Sequence, residues 1–146
     1  MLGEIKEKTQ ATVIKEFAAD GAWIEYNSSG EFKGPKYHAQ HMETTNVKMK
    51  MDGTNEWETK AIEMTKEGDA IMITGKGTGQ QSKEKPMEGT FSGEVTFMTS
   101  SPRLSSINNT KGWVEGTTKG DEAEIKVWPG KATTTTAAAP VAPPTI

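Results

Sequence analysis

The feature that most constrains this chain is a hydrophobic period of two, interrupted at short intervals by turn pairs. In MEGTFSGEVTFMT, residues Met87, Phe91, Val95 and Phe97 share one face, and Glu88, Thr90, Ser92, Glu94 and Thr96 share the other. In DEAEIKVW, Ala123, Ile125 and Val127 oppose Glu122, Glu124 and Lys126. Successive side chains of a strand point to opposite sides, so this alternation belongs to strands with one buried and one wet face. Asp20-Gly21, Asp52-Gly53, Gly68-Asp69 and Gly120-Asp121 punctuate the runs. Asp-Gly suits a tight hairpin turn, whose central residues need positive φ.

Applied along the chain, the pattern predicts about eight strands, near residues 5–17, 22–32, 35–51, 55–66, 70–79, 87–99, 111–119 and 122–128. The segment SSPRLSSINN, 100–109, breaks the period and is expected to hold a short helical turn. Long sequential strands with one polar face need closure to avoid raw edges. The expected fold is therefore all-β: an eight-stranded antiparallel up-and-down barrel over residues 1–131. A β-sandwich is the alternative. After Lys131 the sequence ATTTTAAAPVAPPTI carries no charge and is rich in Thr, Ala and Pro. Residues 132–146 read as a flexible low-complexity tail, which pairing with a neighbour's sheet could order.

Composition narrows the function classes. The net charge is −3, acids and lysines are interleaved, and Arg103 is the single arginine. Without a basic stripe, nucleic acid is not an expected partner. The absence of cysteine excludes disulfides, thiolate nucleophiles and thiolate metal ligands. The opening MLGEIKEKTQ has no apolar run behind it, so neither a signal nor a transit peptide is read there. No stretch approaches the roughly 20 apolar residues that span a bilayer. A soluble, cytoplasmic protein without a membrane partner is expected.

Several phrases of the sequence are distinctive: the opening GEIKEKTQ, the turn SGEFKG, the run ITGKGTGQ, and the block GEVTFMTSSPRLSSINNTKGWVEG…EIKVW. Together these resemble a group of small prokaryotic proteins related to the allene oxide cyclase barrel, within the broader calycin-like shape. The likeness is strongest over 93–128 and extends back to Gly3. It implies a small antiparallel barrel with a cavity; since one fold hosts many functions, it does not imply cyclase activity. No catalytic residue of the cyclases is carried over to this sequence, and the stretch Lys36 to Met64 departs most from the family pattern.

That stretch holds both histidines, in KYHAQHMETTNVKMKM. On a regular strand Tyr37, Ala39, His41, Glu43, Thr45, Val47, Met49 and Met51 share a face. His38 lies on the opposite face with Lys36, Gln40, Lys48 and Lys50, which makes the first face the interior one. The two histidines therefore diverge, and HAQH is not a two-histidine metal clip; no metal and no cofactor are expected. His41 and Glu43 point inward together, with Cβ atoms about 6–7 Å apart. A carboxylate in an apolar cavity needs a partner, water or a wide mouth. Either the pair sits solvated at the barrel rim, or it anchors a ligand or moves a proton. Methionine suits an adaptable cavity and is also ordinary core filler, so Met49 and Met51 carry both readings.

Other features read as scaffold. ITGKGTGQ lacks the helix that a phosphate loop enters, and its glycines fit a barrel bend or close backbone approach. Ser100, Ser101, Ser105, Asn108 and Asn109 are read as caps for a short helix plugging one barrel end, or as a hydrogen-bonding rim. Trp113 and Trp128 fall at strand positions, Trp23 and Trp57 near turns. The expected function is binding of a small, largely apolar molecule in the barrel, with Tyr37, His41, Glu43 and Met49 as contacts. An isomerase or cyclase of the same barrel type is the alternative. A homo-oligomer or filament subunit paired through its tail is a third reading.

Overall fold

A computed structural model describes residues 1–130. It is a closed barrel in which eight strands pair antiparallel in chain order. The strands are β1 (Gly3–Ala18), β2 (Gly21–Lys33), β3 (His38–Lys50), β4 (Thr54–Met64), β5 (Ala70–Gln81), β6 (Glu88–Met98), β7 (Thr110–Lys119) and β8 (Glu122–Pro129). Closure runs through β1 and β8, from Gly3 opposite Val127 to Lys8 opposite Glu122. The expected tail, 132–146, lies outside the described residues. No helix among the described residues is long and apolar enough to cross a membrane.

The inward faces carry Ile5, Phe32, Ile71, Ile73, Val95 and Phe97 into one buried core. β3 pairs with both neighbours without a register shift, so its alternation keeps Ala39 and His41 inside and His38 outside; Tyr37, just before the strand, is buried as well. The alternation lapses at strand ends. Met51 and Met87 were expected on interior faces, but both sit in or beside turns and are largely exposed. β1 instead carries register shifts at Thr9/Ala11 and Ile14/Glu16. Beyond Lys8 it leaves β8, and this overhang exposes Val13, Ile14 and Phe17.

Interior glycines make the barrel fillable. Trp57 lies across the barrel against β5 and β6, and a Cβ on Gly77 or Gly93 would stand 2.6 Å from its indole. The run ITGKGTG thus clears room for an aromatic ring, in line with the close-approach reading. Trp57 donates its indole N–H to the Thr78 carbonyl at 3.2 Å and meets Phe91 edge-on. Trp113 and Trp128 face each other across β7 and β8, partly exposed.

The 3₁₀ segment Pro102–Ile107 joins β6 to β7 and buries Leu104 and Ile107 in the core, stopping one barrel end. Its polar residues do not work as helix caps. Ser101 occupies the N-cap position without a capping bond. Its hydroxyl donates instead to Asp69, which also accepts from Thr65 and from Arg103 at 2.7 Å each. Asn108 accepts from the Thr99 backbone N–H. Ser101 and Arg103 therefore fasten the plug to the β4–β5 turn, and Asn108 ties its far end to Thr99, just after β6. These hydrogen bonds, from Ser101 first and then Thr65 and Arg103, hold the Asp69 carboxyl down at about 2.

One glycine is required for the interior's chemistry. Gly30 sits between Glu7 on β1 and His41 on β3. A Cβ there would lie 1.9 Å from the Lys6 carbonyl oxygen and 2.6 Å from the Glu7 Cα. Both obstacles are backbone, so neither can turn aside. Gly30→Ala is expected to lower stability by about 2 kcal/mol or more, the range of strain and overpacking effects. Denaturant unfolding measures this; a loss under about 0.5 kcal/mol, the size of an ordinary surface change, would contradict the close approach.

Candidate functional site

A cavity of about 340 Å³ runs down the barrel from the end formed by the β5–β6 and β7–β8 turns. Its walls include Ile73, Val95, Phe91 and Trp57, and Met49 lines it as expected from the sequence. Glu7, His41 and Glu43 also line it, towards the plugged end. The site is built from strand register. Glu7, Gly30, His41 and Glu63 stand in one cross-strand row over β1 to β4. Gly30 contributes no side chain, so the groups on either side of it can meet.

His41 is the centre. Its Nδ1 donates to Glu63 Oε2 at 2.7 Å, and its Nε2 lies 2.8 Å from Glu43 Oε1. Glu63 is fully buried and its other oxygen accepts from the Tyr37 hydroxyl at 2.5 Å. Tyr37 stacks on Phe32 with ring centroids 4.5 Å apart, which fixes the hydroxyl. Glu43 accepts a further bond from Thr45 at 2.8 Å, and Thr45 meets the Thr59 hydroxyl. Glu7 Oε1 lies 3.5 Å from His41 Nε2.

The charges follow from this geometry. Burial alone would lower the His41 pKa, but the hydrogen bonds and charges of Glu43 and Glu63 outweigh it and push it up to about 10. A doubly protonated imidazole donating to two carboxylates is the result. Burial likewise works to raise Glu43, yet His41, Glu7 and Thr45 hold it below the ordinary range. For Glu7 the charge of His41 works downward but is outweighed. Burial, then the charge and hydrogen bond of Glu43, push it up to about 9. Two carboxyls can hydrogen-bond only through a proton, and Glu7 is the one that keeps it. Burial and the neighbouring Glu63 raise the Tyr37 hydroxyl, which stays a donor.

The sequence-derived residues fall into two groups here. His41, Glu43 and Met49 line the cavity together. Tyr37 is not among the lining residues: its hydroxyl is committed to Glu63, behind His41. His41 and Glu43 are not solvated at a rim; their side chains are 2% and 11% exposed. Glu7 and Glu63 were not singled out from the sequence. Alternation holds a signal for both, since Glu7 follows inward-facing Ile5 by two residues and Glu63 follows inward-facing Ala61 by two.

Comparison with known proteins places the fold. No protein-family model and no curated protein matches the chain. Solved structures do. A conserved protein of unknown function from Rhodopseudomonas palustris superposes with a TM-score of 0.74 at 16% identity, covering 86% of this chain and 92% of its own. A protein of unknown function from Clostridium acetobutylicum gives 0.76 at 16% identity, over 88% and 95%. A β-barrel-like protein from Acinetobacter baumannii gives 0.76 at 19% identity, over 88% and 92%. These bear out the small barrel that the resemblance implied; none of the three is described as an allene oxide cyclase.

Two outcomes follow. Glu7 and His41 both have raised folded-state values, from 4.5 and 6.5. The folded protein therefore holds protons that the unfolded chain releases, and their stability contribution falls as pH rises from about 4.5 through 9–10. Glu43 and Asp69 are lowered, so their contributions are present above ordinary carboxylate values and are lost in acid. Denaturant midpoints in metal-free buffer should peak at about pH 4.5–5 and decline towards pH 9. Glu7→Gln should flatten the decline below pH 6.5 and roughly halve it between pH 6.5 and 9, where only His41 still contributes; an unchanged slope would contradict the protonated Glu7. Tyr37→Phe keeps the ring on Phe32 but strips a donor from buried Glu63, and should cost about 1–3 kcal/mol. A neutral change in the same assay would remove Tyr37 from the network.

Proposed function

We propose that this protein binds a small, largely apolar molecule in the barrel interior, with a hydroxyl or amine head against Glu7, His41 and Glu43. The observation that carries the reading is the cavity itself: about 340 Å³, apolar along its walls and ionisable near the plugged end. Small-molecule sites have this form, a mostly apolar concavity with a few convergent polar groups, and the volume is at the low end of their range. A hydroxyl or amine reaching the polar end meets carboxyl oxygens that accept hydrogen bonds. Met49 and Trp57 supply adaptable and flat apolar contact for the body of the ligand.

One arrangement favours a second reading, proton transfer on a bound ligand in the manner of an isomerase. Glu7 and Glu43 hydrogen-bond to each other on the cavity wall, so a proton donor and an acceptor stand side by side. With a substrate in hand, Glu43→Gln and His41→Asn would separate the two readings. A binder loses affinity modestly, whereas an acid–base enzyme loses turnover by about a hundredfold or more.

The first test needs no known ligand. N-phenylnaphthylamine, an apolar fluorophore with one N–H, should bind once per chain and take energy transfer from Trp57. Ala61→Phe, which fills the cavity wall, should weaken it at least about tenfold. Binding that Ala61→Phe leaves untouched would place the probe on the outer wall, where Met42, Ile62 and Met72 are exposed, and would contradict an interior site.

A further inference from the structure

We infer that Glu7, His41 and Glu43 form a binding site for one divalent transition-metal ion. His41 Nε2, one oxygen of Glu43 and one oxygen of Glu7 lie within 4.8 Å of one another. The spacing is that of ligand atoms around an ion. Bonds of about 2.0–2.2 Å set neighbouring donors roughly 3.0–3.5 Å apart for octahedral to tetrahedral angles. His41 Nε2 is 2.8 Å from Glu43 Oε1, just below that interval, and 3.5 Å from Glu7 Oε1, at its upper edge.

A cluster of acids alone would not support a site; an independent feature of Glu7 does. Its side chain is 7% exposed and lines the cavity, yet Oε1 has no hydrogen-bond partner. It is the buried side-chain oxygen among the described residues left in this state. Such an atom is costly, and an ion bound beside His41 Nε2 would satisfy it. The surroundings of His41 point the same way. Metal-binding histidines typically give their other ring N–H to a carboxylate, which fixes the ring and raises its basicity. Here Nδ1 is bonded to Glu63, and Tyr37 holds Glu63 in turn.

The donor set identifies the class of ion. One imidazole with two carboxylates suits a first-row divalent ion such as zinc, manganese or iron(II), whereas magnesium and calcium take oxygen ligands. Binding displaces the Nε2 proton of His41 and the Glu7 proton to solvent, and the two carboxylates then balance the ion's charge inside the barrel. Three protein ligands leave at least one position open, and the cavity is on that side. The inference thus deepens the interior-binding proposal, since a ligand's hydroxyl would reach the open position. The divergence of His38 and His41 excludes a two-histidine clip; it does not bear on a site that gathers carboxylates from β1 and β3.

The test uses the full chain stripped of metal, with ZnCl₂ followed by equilibrium dialysis and elemental analysis. The expected result is one zinc per chain. Glu7→Gln should weaken binding at least tenfold and His41→Gln at least a hundredfold. His38→Gln removes the outward histidine and should change nothing. Circular dichroism confirms that each variant is folded. If Glu7→Gln or His41→Gln does not fold, cobalt(II) on the wild-type chain decides instead: imidazole and carboxylate ligation gives visible absorption bands that excess zinc abolishes. No zinc at micromolar concentration, or binding lost in His38→Gln and retained in His41→Gln, overturns the inference. Saturable binding of the apolar fluorophore with no zinc would defeat the metal site alone and leave interior binding standing. Zinc bound without the fluorophore would do the reverse.

Discussion

The interior is organised by the cost of placing ionisable groups out of water. His41, Glu43, Glu63 and Glu7 share the inside of a barrel whose other walls are largely apolar. A lone buried carboxylate would be driven to protonate or to move outward. These do neither freely, because one imidazole between Glu43 and Glu63 lets both stay hydrogen-bonded. For the third carboxyl, Glu7, burial and the neighbouring Glu43 outweigh the charge of His41, and it keeps its proton. Breaking such a set by removing one partner leaves the remainder uncompensated, which makes the cluster costly to alter piecemeal.

The barrel is what makes this set possible. Residues 7, 41 and 63 are distant in sequence, and strand register brings them into one row. Close contact then depends on the missing side chain at Gly30. Trp57 depends in the same way on Gly77 and Gly93. Closing one end with the 3₁₀ plug, fastened through Asp69, leaves the other end as the approach to the cavity. A polar cluster near a closed end with apolar walls above it suits a molecule, or an ion and a molecule, held by one end.

Much of the fold was legible because alternation is a local signal that repeats. It marked the eight strands, the closure argument and the inward face of β3, including His41 and Glu43. It failed where its physical basis ends: Met51 and Met87 leave the pleat at turns. The site was legible only from one side. Glu43 plainly needed a partner, but Glu63 and Glu7 come from β4 and β1, and pairing register between strands is not written in either strand alone. The row around Gly30 exists only once the barrel has closed. Tyr37 was placed on the correct face, but the face does not say whether its hydroxyl meets a ligand or a neighbouring carboxylate. The serine and asparagine cluster was misread as caps because its main acceptor, Asp69, lies in a different loop.

The most direct test of this account is the protonation state of His41, read by long-range ¹H–¹⁵N NMR on metal-free protein at pH 8. The two histidines serve as each other's control, since His38 is exposed on the outer wall. The account requires both nitrogens of His41 to be protonated at that pH, with the Nδ1 proton protected from exchange by Glu63. A neutral His41 at pH 8, with one bare nitrogen and a fast-exchanging proton, would contradict the buried imidazolium on which the cluster depends.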